Sequence, residues 1–313
     1  MRKLITIAFV VALGATALAT SAPAGAGTSD YEDPFFLNWP TLLPSAPVGD
    51  YQLSSADECK NGQFSCVDRV ISQMTKRYNA LRCDHNSMFA FTYLRTTEEY
   101  LRAATQPGFF EDPAFINHQD ALFAEYYFDQ YDDWRAGRVE QVSPAWRIAF
   151  RAADRQEVSG LGNLFLGMNA HVNRDLPFVL AEIGLVKPDG TSRKPDHDEV
   201  NEFLAVTNQY LLSEAATYLD PTVGTAELPG TTFDNATAVQ VLVVWRELAW
   251  RNAERLVAAP TPEARALVAE DIERTAAAEA LLIREALAYP ALDVLGTQVR
   301  DRNRFCEAHF QTR

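Results

Sequence analysis

The sequence is poor in the residue types that most catalytic templates require. Its 313 residues include only five histidines, His85, His118, His171, His197 and His309, so a centre of several histidines and several metals would have to gather nearly all of them. Basic charge is scarce as well. Against 42 Asp and Glu stand 28 Lys and Arg, a formal net charge of −14. That balance argues against a nucleic-acid partner or an anionic membrane surface, both of which need a basic face. Alternating polar and apolar runs are absent, and no internal repeat recurs. Ser159 lacks the Gly-x-Ser-x-Gly setting of a nucleophile elbow, Gly160-Leu161-Gly162 lacks a third glycine and a preceding strand, and no His-Glu-x-x-His occurs.

Long apolar runs are confined to the N-terminus. Met1-Arg2-Lys3 leads into Leu4 to Leu18, too short for a stable span, and then into the Ala-x-Ala patterns Ala22-Pro23-Ala24 and Ala24-Gly25-Ala26. This order predicts a signal peptide over residues 1–26, cleaved after Ala24 or Ala26. No later segment offers the roughly 18 uncharged apolar residues of a spanning helix, so the expectation is a secreted, extracellular protein with no stable membrane insertion. In that compartment the four cysteines, Cys59, Cys66, Cys83 and Cys306, favour disulfides. Three pairings are possible. Loop closure favours Cys59–Cys66, which leaves Cys83–Cys306 to tie the tail to the first helices; the alternative is buried free thiols.

What is present is helical periodicity. Residues 27–58, rich in Pro, Ser and Asp, read as an irregular arm, and residues 59–313 as a single all-α, bundle-like domain. Val67, Val70, Ile71, Met74, Tyr78 and Leu81 recur at helical spacing, as do Phe89, Tyr93, Tyr100 and Leu101. Asp112-Pro113 and Ser143-Pro144 each pair an N-cap with a first-turn proline. The pattern further predicts a helix from Ser159 to Leu176 stopped by Pro177, and one starting at Asp196 and Glu199, a capping-box-like pair, that runs to about Tyr218. After a Pro/Gly/Thr-rich connection from Asp220 to Thr232 come helices from Asp234 to Ala258 and from Thr261 to Ala288.

The helix from Ser159 carries the chemistry. At about 100° per residue, Leu161, Leu164, Phe165, Met168 and Val172 share a face, with Asp175 inside that sector and His171 at its edge. An inward ionisable pair four residues apart needs a partner, a metal or a shifted pKa, and a structural hydrogen bond is the alternative to a site. Gly162 and Gly167 imply close approach of a neighbouring helix or a ligand. Arg246 falls on the apolar face of its helix and needs a carboxylate, with Asp175 and Asp84 as candidates and Trp250 able to stack on it; the alternative is a buried salt bridge that fixes register. Asp120 lies at the edge of an aromatic face, whereas His118, Glu125 and Asp129 line an outer, solvated flank. Asp84-His85 and Asp196-His197-Asp198 read first as caps and second as ligands.

The segment Gly167-Met168-Asn169-Ala170-His171-Val172-Asn173-Arg174-Asp175-Leu176-Pro177 resembles the hallmark of the domain of unknown function 5995 family. Asp84 with Phe91-Thr92-Tyr93-Leu94, Pro144-Ala145-Trp146, Asp196 with Val200-Asn201, and Arg246 with Ala249-Trp250 support it over roughly residues 65–260. His197 departs from the aromatic or apolar residue expected there. The family implies positions rather than a reaction. A more distant likeness, in the order Gly167, His171, Asp175 and Pro177, is to zinc-dependent phospholipase C-type enzymes. It implies at most one divalent metal such as zinc, held by His171, Asp175 and one or two distant carboxylates, because the histidine usual soon after the Asp is missing. These readings predict a hydrolase-like site for an ester or phosphoester, with His171, Asp175 and Arg246 catalytic and Asn169, Asp84, Tyr93 and Trp250 binding a small-molecule or lipid-like ligand. The competing expectation is a non-catalytic binding or cell-envelope protein in which the same residues form a buried polar network.

Overall fold

The computed structural model describes residues 58–221, 223, 235–289 and 302–313. The predicted signal peptide, the arm up to residue 57 and most of the Asp220 to Thr232 connection lie outside the described residues. Within them the chain is helix after helix, and two isolated bridges, Val158 with Ala288 and Val186 with Ser192, are the extended pairings present. The elements are α1 (Phe64–Leu81), α2 (Ser87–Ala104), α3 (Pro113–Arg135), α4 (Pro144–Asp154), α5 (Gly160–Met168), a π-helical segment (Asn169–Asp175), α6 (Leu176–Ile183), α7 (Lys194–Tyr218), α8 (Asn235–Ala258), α9 (Pro262–Ala286) and α10 (Arg302–His309).

Local chemistry sets several of the starts. The side chains of Asp112, Ser143, Ser159 and Thr261 accept from first-turn amides of α3, α4, α5 and α9, and a proline occupies the first turn of α3, α4 and α9. Two predicted boundaries are corrected. Pro177 does not stop the central helix. It sits in the first turn of α6, directly after the π-helical segment, where its missing N–H is tolerated. Asp196 does not cap α7, which begins two residues earlier after Arg193. Its carboxylate accepts instead from the backbone amides of Glu111 at 2.6 Å and Asp112 at 2.7 Å, so a local capping signal is spent on holding the entry to α3.

The run from α5 through α6 forms the axis of the domain. Its π-helical part touches α3, α4, α8 and α9, while α5 lies on α2 and α6 on α8. Wholly buried Trp146 and Trp250 mark two centres of the core, each worth several kcal/mol against truncation. Close approach at Gly167 is to a neighbouring helix: a Cβ there would overlap the Phe89 ring of α2. At Gly162 it would meet Val158 and Leu287.

Two disulfides close, Cys59–Cys66 and Cys83–Cys306, each with a Cα separation of 5.7 Å, and no free cysteine remains. The second fastens α10 beside the start of α2. There His85 Nε2 meets Asn303 Oδ1 at 3.0 Å, and Arg302 Nη1 donates to Asn163 Oδ1 at 2.7 Å. His85 Nε2 thus ties α10 to the start of α2 while its Nδ1 stays unpartnered, and burial pushes its pKa down to about 4.

The two bridges span 7 and 223 residues, so chain entropy assigns them unequal weights. Cys83→Ser with Cys306→Ser should cost about 5 kcal/mol in urea unfolding and Cys59→Ser with Cys66→Ser about 2 kcal/mol; a larger loss from the shorter loop would contradict this account. Gly167→Ala should lower stability by roughly 1–3 kcal/mol through overpacking against Phe89, a loss that Phe89→Leu should partly relieve in the double variant.

Candidate functional site

At Asn169 the backbone leaves α-helical geometry and widens into a π-helix up to Asp175, and the Leu176 N–H bonds to the His171 carbonyl five residues back. Such segments are rare and gather at functional sites. Asp175 has no exposure at all. Its Oδ2 accepts from the Trp146 indole at 2.8 Å and from His171 Nδ1 at 3.0 Å, and its Oδ1 accepts from Arg174 Nη1 at 2.9 Å. Arg174 also bonds Glu273 at 2.7 Å. Burial opposes the Arg174 charge, but Asp175 and Glu273 outweigh it and leave the guanidinium more basic than usual.

Because the Asp175 carboxylate only accepts, the proton on His171 belongs to Nδ1 and Nε2 presents a lone pair. The imidazole stacks on Phe123, with centroids 3.4 Å apart and planes 3° from parallel, and meets the edge of Tyr93 at 4.7 Å. Burial lowers its pKa, and the bond to Asp175 opposes that shift without cancelling it.

His171 opens on a cavity of about 130 Å³ walled by α2, α3, α7, α8 and the α5–π junction. Apolar side chains such as Phe89, Val172, Phe203 and Leu242 make most of the lining. The size is close to that of the hydrocarbon-lined cavity, ~150 Å³, that takes up benzene. Four polar atoms on the lining residues are buried without a hydrogen-bond partner: His171 Nε2, Tyr93 Oη, Asp120 Oδ2 and Gln119 Oε1. Buried polar groups are ordinarily satisfied, so four orphans on one cavity indicate a place for a ligand or ordered water. The hydroxyls of Thr92, Thr96 and Thr97 bond carbonyls one turn back, of Met88, Thr92 and Tyr93, and so are not poised as nucleophiles.

Of the candidate polar residues read from the sequence, the fold brings His171, Tyr93, Asp120 and Arg246 to this cavity, with Asp175 behind His171. It does not bring the others. Asn169 is wholly buried, donating to the Ala276 carbonyl at 2.8 Å and accepting from Asn173 at 3.0 Å. Asp84 accepts from the backbone and side chain of Asn86 at 2.8 and 2.9 Å and works as a turn cap. Trp250 donates to Glu254 at 2.9 Å, and the cation over its ring is Lys194, not Arg246. Neither Asp175 nor Asp84 pairs with Arg246, whose Nε instead donates to Asn201 Oδ1 at 2.8 Å. His118 is buried rather than solvated.

Gln119, Phe123, Trp146 and Arg174 complete the arrangement. Trp146 could have been found from its buried indole N–H, which has to reach an acceptor, and Arg174 from its place beside an inward carboxylate. The Phe123 stack has no local signal.

The sequence model of the Family of unknown function (DUF5995) matches residues 67–286. The chain belongs to this family. No curated protein and no solved structure matches it, so the phospholipase C likeness has no support among known proteins. The DUF5995 region contains every residue of the cavity and runs beyond residue 260 to include α9, which supplies the Ala276 carbonyl.

The donor set in this DUF5995 domain does not fit the predicted metal. Among the described residues no three His, Cys, Asp or Glu converge as a cation site, and both oxygens of Asp175 are already committed.

Burial alone raises the Asp120 carboxyl from an ordinary 3.8 to about 8. Between these values the unfolded chain has released a proton that the folded chain retains, so Asp120 costs stability increasingly as pH rises from about 4 to about 8. Asp120→Asn removes that cost. Thermal and urea unfolding should show the variant level with the parent near the low end and ahead by roughly 2–5 kcal/mol near the high end, less where the cavity admits solvent. A difference that does not change with pH would contradict a buried neutral acid.

Proposed function

We propose that this DUF5995 protein binds a small, mainly apolar molecule in the α2–α3–α7–α8 cavity, with His171 as the base that meets its polar group. The observation that carries this reading is His171 Nε2: buried, without a partner, and facing an apolar cavity while Asp175 holds the opposite nitrogen. His85 Nδ1 is likewise buried without a partner, but His171 Nε2 differs from it in lying on the cavity lining beside three further unpartnered polar atoms. A workplace outside the cytoplasm accords with the two disulfides and with the leader-like residues 1–26.

The Asp175–His171 pair also favours a second reading, metal-independent hydrolysis of an ester. A carboxylate that fixes the tautomer and leaves Nε2 as acceptor is the orienting half of a triad, and here a water would take the place of the missing side-chain nucleophile. Tyr93 and the protonated Asp120 line the same cavity and are donors available to a carbonyl oxygen. A lone guanidinium, Arg246, suits a carboxylic ester better than a phosphoester, whose charge calls for more cations.

Both readings are tested with one uncharged probe and one ester. Titration with 4-phenyl-1-butanol should shift and saturate the His171 imidazole resonances. Hydrolysis of p-nitrophenyl butyrate, if the second reading holds, should fall about 100-fold in His171→Gln. Imidazole resonances unmoved by the alcohol would sink the binding reading; ester turnover equal in parent and variant would sink the catalytic one.

A further inference from the structure

Arg246 is 4% exposed and lies on the cavity lining. Its Nε donates to Asn201 Oδ1 at 2.8 Å, and its Nη2 donates to the His197 carbonyl and lies 3.3 Å from His197 Nδ1. These partners are all neutral, since burial first and the neighbouring Arg246 and Lys194 charges next keep His197 far less basic than usual. Nη1 makes no hydrogen bond among the described residues, so both of its N–H groups are unspent.

The other buried cations behave differently. Arg174 has Asp175 and Glu273, Lys194 has Asp198 and Glu247 at 2.6 Å each, and Arg302 has Asp220 at 3.9 Å. Among the described residues Arg246 pairs with no carboxylate. Asp198 is the one acidic group near enough to support its charge, and Asp198 is bonded to Lys194. Burial lowers the Arg246 pKa to about 10, which still leaves it protonated at neutral pH. The acid on the same cavity, Asp120, is not its counter-ion, for no cation contributes to the Asp120 shift. Buried charges are as a rule paired, because a lone ion away from water is costly, and the missing partner here would have to enter through the cavity.

We infer that the ligand of this cavity is a small monocarboxylate with a second, donor group such as a hydroxyl: its carboxylate is seated on Arg246 Nη1, its apolar body lies among Val200, Leu204 and Leu242, and the donor meets His171 Nε2. The inference rests on the binding reading above and adds the charge of the ligand to it. One free guanidinium nitrogen matches a single carboxylate. A cationic or zwitterionic ligand would place like charge beside Arg246, and a phosphate dianion would remain half compensated.

The test is a matched pair of probes, 4-phenylbutyrate and 4-phenyl-1-butanol, titrated calorimetrically into the full mature chain near neutral pH. The acid should bind at least tenfold more tightly than the alcohol. Arg246→Gln should abolish that preference, and Arg246→Lys should restore part of it. Equal affinities, or a preference for the alcohol, in the parent protein overturn the inference and leave the binding reading standing. Binding of neither probe overturns both. The comparison in the parent protein decides the matter even if Arg246→Gln fails to fold.

Discussion

Asp175 is sealed from solvent, so the protein itself must stabilise its carboxylate, and three side chains from two elements contribute to doing so. Trp146 reaches it from α4, Arg174 from the adjacent position in the π-helical turn, and His171 from one turn back. Removing any one donor would leave part of a buried carboxylate uncompensated, a loss of several kcal/mol. Because the carboxylate fixes the imidazole, the same interaction decides which nitrogen of His171 faces the cavity. The widened backbone from Asn169 to Asp175 is the local distortion that accompanies this arrangement.

Support for that axis comes from both directions along the chain. At its start, Asp220 accepts from the Gly160 amide at 2.9 Å and lies 3.9 Å from Arg302, so the C-terminal helix braces the entry to α5. The Cys83–Cys306 bridge fastens that same helix next to α2, which carries Phe89 and Tyr93 to the cavity. Farther along, Asn169 and Asn173 hold α9 through the Ala276 carbonyl and Glu279. The disulfide thus acts on the site through rigid helices rather than through chemistry of its own sulfurs.

Polar satisfaction is unevenly distributed. Around Asp175, Asp196 and Lys194 almost every donor meets an acceptor, whereas on the cavity wall Tyr93, Gln119, Asp120 and His171 each retain an unpartnered atom. Each such atom costs about 1–3 kcal/mol. A core selected for stability alone would replace them with apolar groups; other unpartnered atoms, such as Asn173 Oδ1 and Glu273 Oε2, occur elsewhere, but these four share one cavity.

By itself the amino-acid sequence determined the all-α class, most helix starts and the inward His171–Asp175 couple, and it favoured, without fixing, the cysteine pairing that the structure shows. These depend on caps, loop closure and periods of a few residues, which are local. Pro177 and Asp196 show the limit: each carried a sound local signal, but a π-helical turn absorbed the proline and the amides of Glu111 and Asp112 claimed the carboxylate. Only the tertiary structure decided that Arg246 lines a cavity without pairing with a carboxylate, that Asn169, Asp84 and Trp250 serve the scaffold, and that Asp120, on the same cavity, is held neutral. Burial and partnership at those positions depend on helices far apart in the chain, and a side chain's charge state follows from what surrounds it in space.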